Sequence, residues 1–287
     1  MNTILVTCAT STIGQRVVKN LRNAHIKVRT GVRSLRKSSK ILGDNVEVVT
    51  LDFEKPDTYL AALEGVEKVF FILPVIPNQV EITRAFTKAA KNKGVKKIVM
   101  LSGLGADTKS SSDILRWHGE KEKIIRKSGI HYTILRPGNF MQNYIVGCYS
   151  KMYANGKLTL PQGDAKINQV DANDIAAAAT SVLMNFGHKD RIYSLTGYSY
   201  TNMEIVDLIS NIIGKKIEYV DITEEVARAK MKKCNVEDWR IDTTIGLHRA
   251  CKEGLMEAYS LDLKNLIGKG PTTFAEFAIR HKTIFSS

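Results

Sequence analysis

Hydrophobic residues follow two alternating patterns along the first third of the chain. Short apolar runs, of the kind that form buried strands, alternate with stretches whose apolar residues recur at helical spacing. The runs that predict strands are 4–6, 27–32, 46–53, 68–74 and 96–102, and helices are predicted after residue 14, over 57–63 and over 79–92. This alternation predicts an α/β fold, a doubly wound parallel sheet of the Rossmann type.

The alternation is lost after residue 139, and the rest of the chain predicts a smaller C-terminal α/β lobe. Helices are predicted over 142–153, over 175–183 and after 223, and strands over 158–161, 167–170 and 216–220, the first two around a turn at 163. Asp171 and Asp174 are interpreted as helix caps. We predict a Rossmann domain over 1–155 and a substrate-binding lobe over 156–287, partly interleaved with it.

Two capping boxes mark helix starts in this lobe. They pair Thr201 with Glu204 and Thr273 with Glu276, each just before a run of apolar residues at helical spacing. Between these helices lie apolar residues that are predicted to be mostly core: Met231, Val236, Trp239, Ile245, Leu247, Leu255, Met256 and Tyr259.

The composition is that of an ordinary globular protein, with 44% hydrophobic and 25% charged residues among 287. No apolar stretch predicts a transmembrane helix, and the N-terminus lacks a secretory signal pattern. The four cysteines lie far apart, which predicts neither a metal site nor a disulfide framework and favours the cytoplasm. A net charge of +13 suits nucleic acid, a membrane surface or an anionic small ligand. Because aromatic residues do not interleave the scattered basic ones, we predict no nucleic-acid partner. We also predict no membrane partner.

Distinctive residues follow each of the predicted strands. They are Gly14, Arg33, Asp52, Pro74 and Ser102. Ligands of doubly wound sheets bind beyond the carboxyl ends of the strands, so these residues are predicted to surround one ligand site.

The loop between the first strand and the first helix is typical of a dinucleotide-binding turn. In such a turn the free N–H groups and positive dipole end of the helix hold a pyrophosphate. Of the three glycines usual in this loop only Gly14 is present, because Cys8 and Ser11 occupy the other two positions. A strand–helix turn that binds no ligand explains the loop equally well.

The second strand is followed by basic residues. An acidic side chain here would bind the 2′-hydroxyl of NAD, whereas an arginine accommodates the 2′-phosphate of NADP. This position holds Arg33, and Arg36 and Lys37 follow it. NADP(H) is therefore the predicted cofactor and NAD(H) the alternative, while a solvent-exposed helix start is the other explanation of these basic residues.

Further motifs extend across nearly the whole chain. The most specific is Tyr132-Thr-Ile-Leu-Arg-Pro-Gly-Asn-Phe-Met-Gln-Asn143, and the others lie at 7–14, 32–33, 51–52, 94–102, 118–130, 160–161, 170–175, 193–197 and 271–277. Together they resemble the NmrA-like branch of the atypical short-chain dehydrogenases/reductases. The resemblance implies an NAD(P)-binding Rossmann fold and either reductase activity or a role in cofactor sensing.

The resemblance also implies a role for individual residues. The pyrophosphate would be lined by Thr7, Cys8, Ala9, Thr10, Ser11, Thr12, Ile13 and Gly14. The 2′-phosphate would be met by Arg33 with Lys37, adenine would be flanked by Asp52 and Phe53, and the adenosine ribose would be bordered by Leu73 and Pro74. The nicotinamide would lie near Ser102 and Gly103, with Pro137, Asn139 and Phe140 around its edge. The substrate pocket would draw its aromatic lining from Phe140, Tyr144, Tyr149, Trp239 and His248.

The catalytic pair of the resembled family, a tyrosine and a lysine four residues later, is absent. Ile114 stands at the tyrosine position and His118 at the lysine position. His118 and Ser102 are the candidate catalytic residues, and His118 would bond the ribose or act as a general acid near neutral pH. A structural histidine at a helix start is the alternative, and Lys121 one turn further on is a possible substitute.

These residues leave three hypotheses for the function. The first is an NADPH-preferring reductase of a small apolar quinone, enone or imine. The second is a non-catalytic NADP(H) sensor that acts through a regulatory protein partner. The third is a protein that has lost cofactor binding, which only the replaced glycines favour.

Overall fold

The computed structural model describes residues 3–42, 46–146, 153 and 155–286, apart from the side chains at 36, 37, 39 and 40. Its main sheet contains β1 (Thr3–Val6), β2 (Val28–Val32), β3 (Glu47–Thr50), β4 (Val66–Phe71), β5 (Lys97–Leu101), β6 (His131–Pro137) and β10 (Arg191–Leu195). All seven are parallel, in the order β10-β6-β5-β4-β1-β2-β3. The order reverses between β1 and β4, where doubly wound sheets bind ligands. The predicted Rossmann fold is confirmed.

Helices cover both faces of the main sheet. The described helices are α1 (Gly14–Asn23), α2 (Leu35–Leu42), α3 (Asp57–Ala62), α4 (Gln79–Asn92), α5 (Asp113–Arg126), α6 (Ala172–Met184), α7 (Asn202–Ile213), α8 (Glu224–Lys233), α9 (Asp238–Lys252), α10 (Asp262–Ile267), α11 (Phe274–Arg280) and α12 (Lys282–Ser286). Successive strand residues face opposite sides, so Ile4 and Val6 pack with α1, α6 and α10, while Leu5 packs with α3, α4 and α5. None of the described helices combines the length and apolar character needed to cross a membrane.

The smaller sheets lie in the second half of the chain. β7 (Asn139–Phe140), β9 (Ile167–Val170) and β11 (Tyr198–Tyr200) form one, and β8 (Lys157–Leu160) pairs with β12 (Glu218–Asp221) in the other. The strands expected around the turn at Gly163 therefore exist but do not pair with each other. Leu158 packs in the core formed by α7 and α11, whereas Val170 packs in the core of the main sheet. The domain boundary at residue 155 stays a prediction, and β10 returns the chain to the main sheet.

The predicted 142–153 helix is only partly α-helical in its described residues. Met141–Ile145 forms a 3₁₀ helix, Val146 is extended with φ −127° and ψ 155°, and Tyr153 is helical. Most of the remainder of the predicted 142–153 helix lies outside the described residues. The two capping boxes are confirmed, and Asp171 caps α6 by accepting the Asn173 N–H at 2.6 Å.

The apolar residues of the last third are only partly core. Ile245 and Met256 are buried, whereas Leu255 and Tyr259 are exposed, Tyr259 to 82%. Both exposed side chains lie in the irregular segment between α9 and α10, where no helix turns them toward a core.

Candidate functional site

A cavity of about 320 Å³ lies beyond the carboxyl ends of β1, β2, β3 and β4. Its lining includes Cys8, Thr10, Ser11, Arg33, Asp52, Phe53 and Pro74, all predicted cofactor residues, together with Ile76. The fold thus brings together residues from four separate loops, as the strand-end argument predicts. The side chain of Lys37 lies outside the described part of the structure, and Leu73 packs against the hydrophobic core beside this cavity.

The loop after β1 keeps the geometry of a glycine turn without its first glycine. Cys8 has φ +44°, in the left-handed region that glycine adopts most easily, and its carbonyl accepts the Ser11 N–H at 2.8 Å. Gly14 cannot be replaced in the same way, because a Cβ there would overlap the Cys8 carbonyl oxygen and lie 2.9 Å from the Ala9 Cα. The helix therefore begins in direct contact with the loop.

This loop also leaves hydrogen-bond donors free at the start of α1. The N–H groups of Thr10, Thr12 and Ile13 have no protein acceptor among the described residues. The Gly14 N–H donates to the Ser11 hydroxyl at 3.1 Å, a capping bond that a glycine at position 11 could not make. Free N–H groups at a helix start suit a phosphate, so the loop fits a pyrophosphate despite its missing glycines.

The other loop residues have inward-facing roles. Thr7 links the ends of β1 and β4, because its Oγ1 donates to the Ile72 carbonyl at 2.6 Å and accepts the Ile72 N–H at 2.8 Å. Ala9 and Ile13 are buried in the core of the main sheet. These three residues support the loop, while Cys8, Thr10 and Ser11 line the cavity.

Arg33 is the cationic group of this cavity. It is exposed and forms no ion pair within the described ranges. Burial raises the pKa of the Cys8 thiol to about 12, an effect that the Arg33 charge partly opposes. Cys8 is therefore neutral at neutral pH and does not repel an anionic ligand, while Arg33 attracts one.

The adenine side of the cavity is more rigid than the sequence indicates. Phe53 is only 8% exposed, and its ring packs edge-on against Tyr59, Phe71 and Phe86 at centroid distances of 6.2, 6.0 and 5.8 Å. The Asp52 carboxylate accepts the Glu54 N–H at 3.1 Å. Phe53 is thus mainly a core residue that also contributes to the cavity wall.

A second group of polar side chains lies at the ends of β5 and β6. The Ser102 hydroxyl lies 2.6 Å from Glu122 Oε1 and 3.5 Å from His118 Nδ1. Arg136 binds Glu122 through two bonds, Nε to Oε1 at 2.9 Å and Nη2 to Oε2 at 2.6 Å. Ser102 and His118 were predicted together, whereas Glu122 and Arg136 were not. The signal for Glu122 was its spacing of four residues from His118, which places both on one helix face. The sequence offered no such signal for Arg136.

His118 lies in the second turn of α5, not at a helix start, because the helix already begins at Asp113. Its ring rests on Gly103, where a Cβ would lie 3.3 Å from His118 Cδ2. Burial, together with the charges of Lys121 and Arg136, holds the pKa of His118 well below its ordinary 6.5. The ring is therefore neutral near pH 7, which argues against the general-acid role predicted for it.

Lys121 points away from this group, toward α4. Its side chain is 2% exposed, and Nζ donates to Gln79 Oε1 at 2.6 Å. Burial lowers the pKa of Lys121 to about 7. It forms no ion pair within the described ranges.

The predicted nicotinamide-side residues follow the end of β6. The Pro137 carbonyl accepts the Leu104 N–H at 2.8 Å, which joins this segment to the loop after Ser102. Asn139 is fixed at both ends of its amide, since Nδ2 donates to Gln169 Oε1 at 2.8 Å and Oδ1 accepts from Asn143 at 2.9 Å. Phe140 is half-buried against the core of the main sheet.

The proposed aromatic lining of the substrate pocket divides into buried and accessible residues. Tyr144 is 3% exposed and donates to Asn202 at 3.3 Å. His248 is 6% exposed beside Gln162, and burial lowers its pKa to about 4. Phe140 and Trp239 remain partly accessible, and Tyr149 lies outside the described residues. Tyr144 and His248 therefore belong to the interior of the lobe.

The sheet, its switch-point cavity and the donors at α1 define a dinucleotide-binding Rossmann protein. The chain belongs to the NmrA-like family, whose model matches residues 1–278. It is 33% identical over 285 residues to the NAD(P)H azoreductase of Xenophilus azovorans, covering 99% of both chains. It is 30% identical over 277 residues to quinone oxidoreductase 2 of Escherichia coli, covering 95% of this chain and 96% of that one.

Solved structures agree with this assignment. The NADPH complex of the Escherichia coli NADPH-dependent quinone oxidoreductase superimposes with a TM-score of 0.88 at 29% identity, covering 97% of this chain and 99% of that one. The NADP(H) complex of Citrobacter sp. triphenylmethane reductase gives 0.87 at 26% identity, with coverage of 97% and 99%. NADP(H), predicted from Arg33, is thus the cofactor of both relatives. The family includes NAD(P)H-dependent oxidoreductases.

Proposed function

We propose that this protein is an NADPH-preferring reductase that transfers a hydride to a small apolar quinone, enone or imine. The observation that carries the cofactor assignment is Arg33, an unpaired guanidinium on the wall of a cavity that is also lined by Thr10, whose N–H group before α1 is free. A guanidinium binds a phosphate dianion better than it binds a hydroxyl, which favours NADPH over NADH.

Each part of the cofactor has a candidate partner. The N–H groups of Thr10, Thr12 and Ile13 would hold the pyrophosphate, Arg33 the 2′-phosphate, and Asp52 with Pro74 the adenosine. The loop from Ser102 to Gly103 and the segment from Pro137 to Phe140 would enclose the nicotinamide end. Bound NADPH would supply the hydride.

The substrate class follows from the missing tyrosine. With Ile114 at the tyrosine position and a neutral His118, a substrate whose reduced oxygen or nitrogen takes its proton from water suits this site best. Quinones meet this requirement, and the names of the azoreductase and quinone oxidoreductase relatives support the choice. We further propose a small-molecule substrate without nucleic-acid or membrane partners, and a cytoplasmic location, since Cys8 and Cys251 are free thiols.

The second candidate is a non-catalytic NADP(H) sensor that acts through a protein partner. Ile114 and the neutral His118 favour it, because neither supplies a proton at neutral pH. The fold of the NmrA transcriptional regulator, solved with NADP, is similar, with a TM-score of 0.81 at 15% identity and coverage of 99% of this chain and 96% of that one. That identity supports the fold alone.

A titration tests the NADPH assignment that both candidates share. NADPH and NADH would be titrated into the protein and into Arg33→Ala, with Arg84→Ala, an exposed arginine of α4, as the matched control. We expect Arg33→Ala to weaken NADPH at least about tenfold and NADH little, because it removes charge-assisted bonds to one phosphate. Equal losses for both cofactors would contradict the NADPH assignment. NADPH oxidation with quinones, enones and imines then distinguishes a reductase from a sensor.

A further inference from the structure

Glu122 of α5 accepts hydrogen bonds beside the end of β5. Its side chain is 3% exposed, and the bidentate bond from Arg136 supplies a charge that does not titrate. An ionised carboxylate has no proton to give. Every hydrogen bond at Glu122 must therefore be donated by its neighbour.

The Glu122 carboxylate determines where the hydrogen of the Ser102 hydroxyl points. The hydroxyl has one hydrogen, and the 2.6 Å approach to Glu122 Oε1 requires that hydrogen to point at the carboxylate. The Ser102 oxygen then offers only lone pairs to His118 Nδ1, which lies 3.5 Å away. An attractive contact between them needs a proton on Nδ1.

The His118 ring carries a single proton, and the contact with Ser102 favours Nδ1 as its place. Lys121 of the same helix and Arg136 of β6 are positive charges near the ring, and both oppose a second proton. Within this group Glu122 carries the negative charge, which Arg136 neutralises. Asp107 is a second negative charge near Arg136 and also raises its pKa. One proton on Nδ1 leaves Nε2 with a lone pair.

We infer that Glu122, held by Arg136, is a positioning residue that fixes His118 as the Nδ1–H tautomer and makes Nε2 a hydrogen-bond acceptor for the nicotinamide end of the bound cofactor. The ring edge carrying Nε2 lies over Gly103, where a Cβ would be 3.4 Å from Nε2. The ligand group that meets it must be a donor, namely a hydroxyl or an amide N–H. This inference rests on the proposed cofactor site.

The tautomer can be measured without turnover. Two-bond ¹H–¹⁵N spectra of histidine-labelled protein, with the His118 signals among those of six histidines assigned from His118→Asn, report which nitrogen carries the proton. We expect Nδ1–H in the ligand-free protein. An Nε2–H tautomer or a charged ring at neutral pH would overturn the inference, whether or not the protein binds NADPH.

Glu122→Gln tests the positioning role. The glutamine amide can donate to Ser102, which turns the hydroxyl toward His118 and moves the ring proton to Nε2. We expect the tautomer signal to switch and NADPH to bind about tenfold more weakly, while Glu120→Gln, two positions away on α5, changes neither. A switched tautomer with unchanged NADPH affinity would contradict the acceptor role.

Ser102→Ala provides a second route if Glu122→Gln fails to fold. It removes the oxygen between Glu122 and His118 but keeps the Arg136–Glu122 pair. We expect the pure Nδ1–H signal to become a mixture of both tautomers. An unchanged Nδ1–H signal would show that Ser102 does not transmit the effect and would overturn the inference. Failure of the wild-type protein to bind NADPH would instead count against the proposed function alone.

Discussion

The two ends of the proposed cofactor site differ in the groups that form them, backbone at one end and side chains at the other. The cavity after β1–β4 depends mainly on backbone N–H groups and on loop shape, with Arg33 as the one cation among its described lining residues. The group after β5 and β6 depends on four side chains joined by bonds of 2.6 to 3.5 Å. Backbone donors survive a change of side chain, so Cys8 and Ser11 can replace glycines. A side-chain network has no such tolerance, because each proton position depends on its neighbour.

The largest effect is expected at Gly14, because this position, where the loop after β1 meets α1, requires glycine. Gly14→Ala would force a Cβ against the Cys8 carbonyl and the Ala9 Cα, and backbone atoms cannot move aside as a flexible side chain can. We expect a loss of about 4 kcal/mol in the free energy of unfolding and loss of NADPH binding. Urea unfolding measures the first and a fluorescence titration the second.

Gly246→Ala is the matched control, because its Cβ would meet ordinary contacts, the nearest at 3.7 Å, inside α9. We expect it to be neutral or to stabilise by up to about 1 kcal/mol. Similar losses in both variants would show that the contact with Cys8 is not the cause.

In the side-chain group after β5 and β6, the largest loss of stability is expected at Arg136. Arg136→Met would leave the Glu122 carboxylate buried without its counter-charge, which we expect to cost about 3 kcal/mol of unfolding free energy. The loss should shrink in acid, because an unpaired buried carboxylate takes up a proton more readily in the folded state. Arg126→Met, an exposed arginine of α5, is the control and should change stability by less than about 0.5 kcal/mol. Equal losses at neutral and acid pH would count against this explanation.

The sequence predicted these two regions unequally. Strand-end positions such as Arg33 and Asp52 could be placed at one site because parallel strands end at the same edge of a sheet. The left-handed backbone conformation of Cys8 could not be predicted from the sequence, since it depends on the close packing of Gly14. Glu122 and Arg136 lie on a helix and a strand, 14 residues apart, and only the fold shows that they pair. The different partners of β8 and β9 were missed for the same reason, because strand pairing is a property of the whole chain.

Lys121 lies on α5, three residues after His118, and its side chain reaches Gln79 of α4. Its pKa of about 7 in the fold is below the ordinary 10.5, so the unfolded chain binds more protons between these values. Stability should therefore rise with pH across that window, and the full cost of burying the charge is present below pH 7.

Lys121→Met removes this cost. We expect it to stabilise the protein by about 2 kcal/mol below pH 7, with an advantage that shrinks as the pH rises toward 10.5. Unfolding by urea at several pH values measures the difference. Lys123→Met, an exposed neighbour on α5, should show no such pH dependence. A constant advantage at all pH values would mean that packing, not charge, is responsible.

The smallest effect is expected at Cys8, and it tests the tolerance of the backbone region directly. Cys8→Gly removes the penalty of a side chain at φ +44° but adds chain entropy to the unfolded state, so the two changes should cancel to within about 0.5 kcal/mol. The N–H donors of Thr10, Thr12 and Ile13 remain, so NADPH affinity should change by less than about threefold. Cys8→Val, which places a β-branched side chain in the left-handed region, should instead lose about 2 kcal/mol of stability. An affinity gain of about tenfold in Cys8→Gly would show that the thiol, and not the backbone alone, sets how tightly this loop holds its ligand.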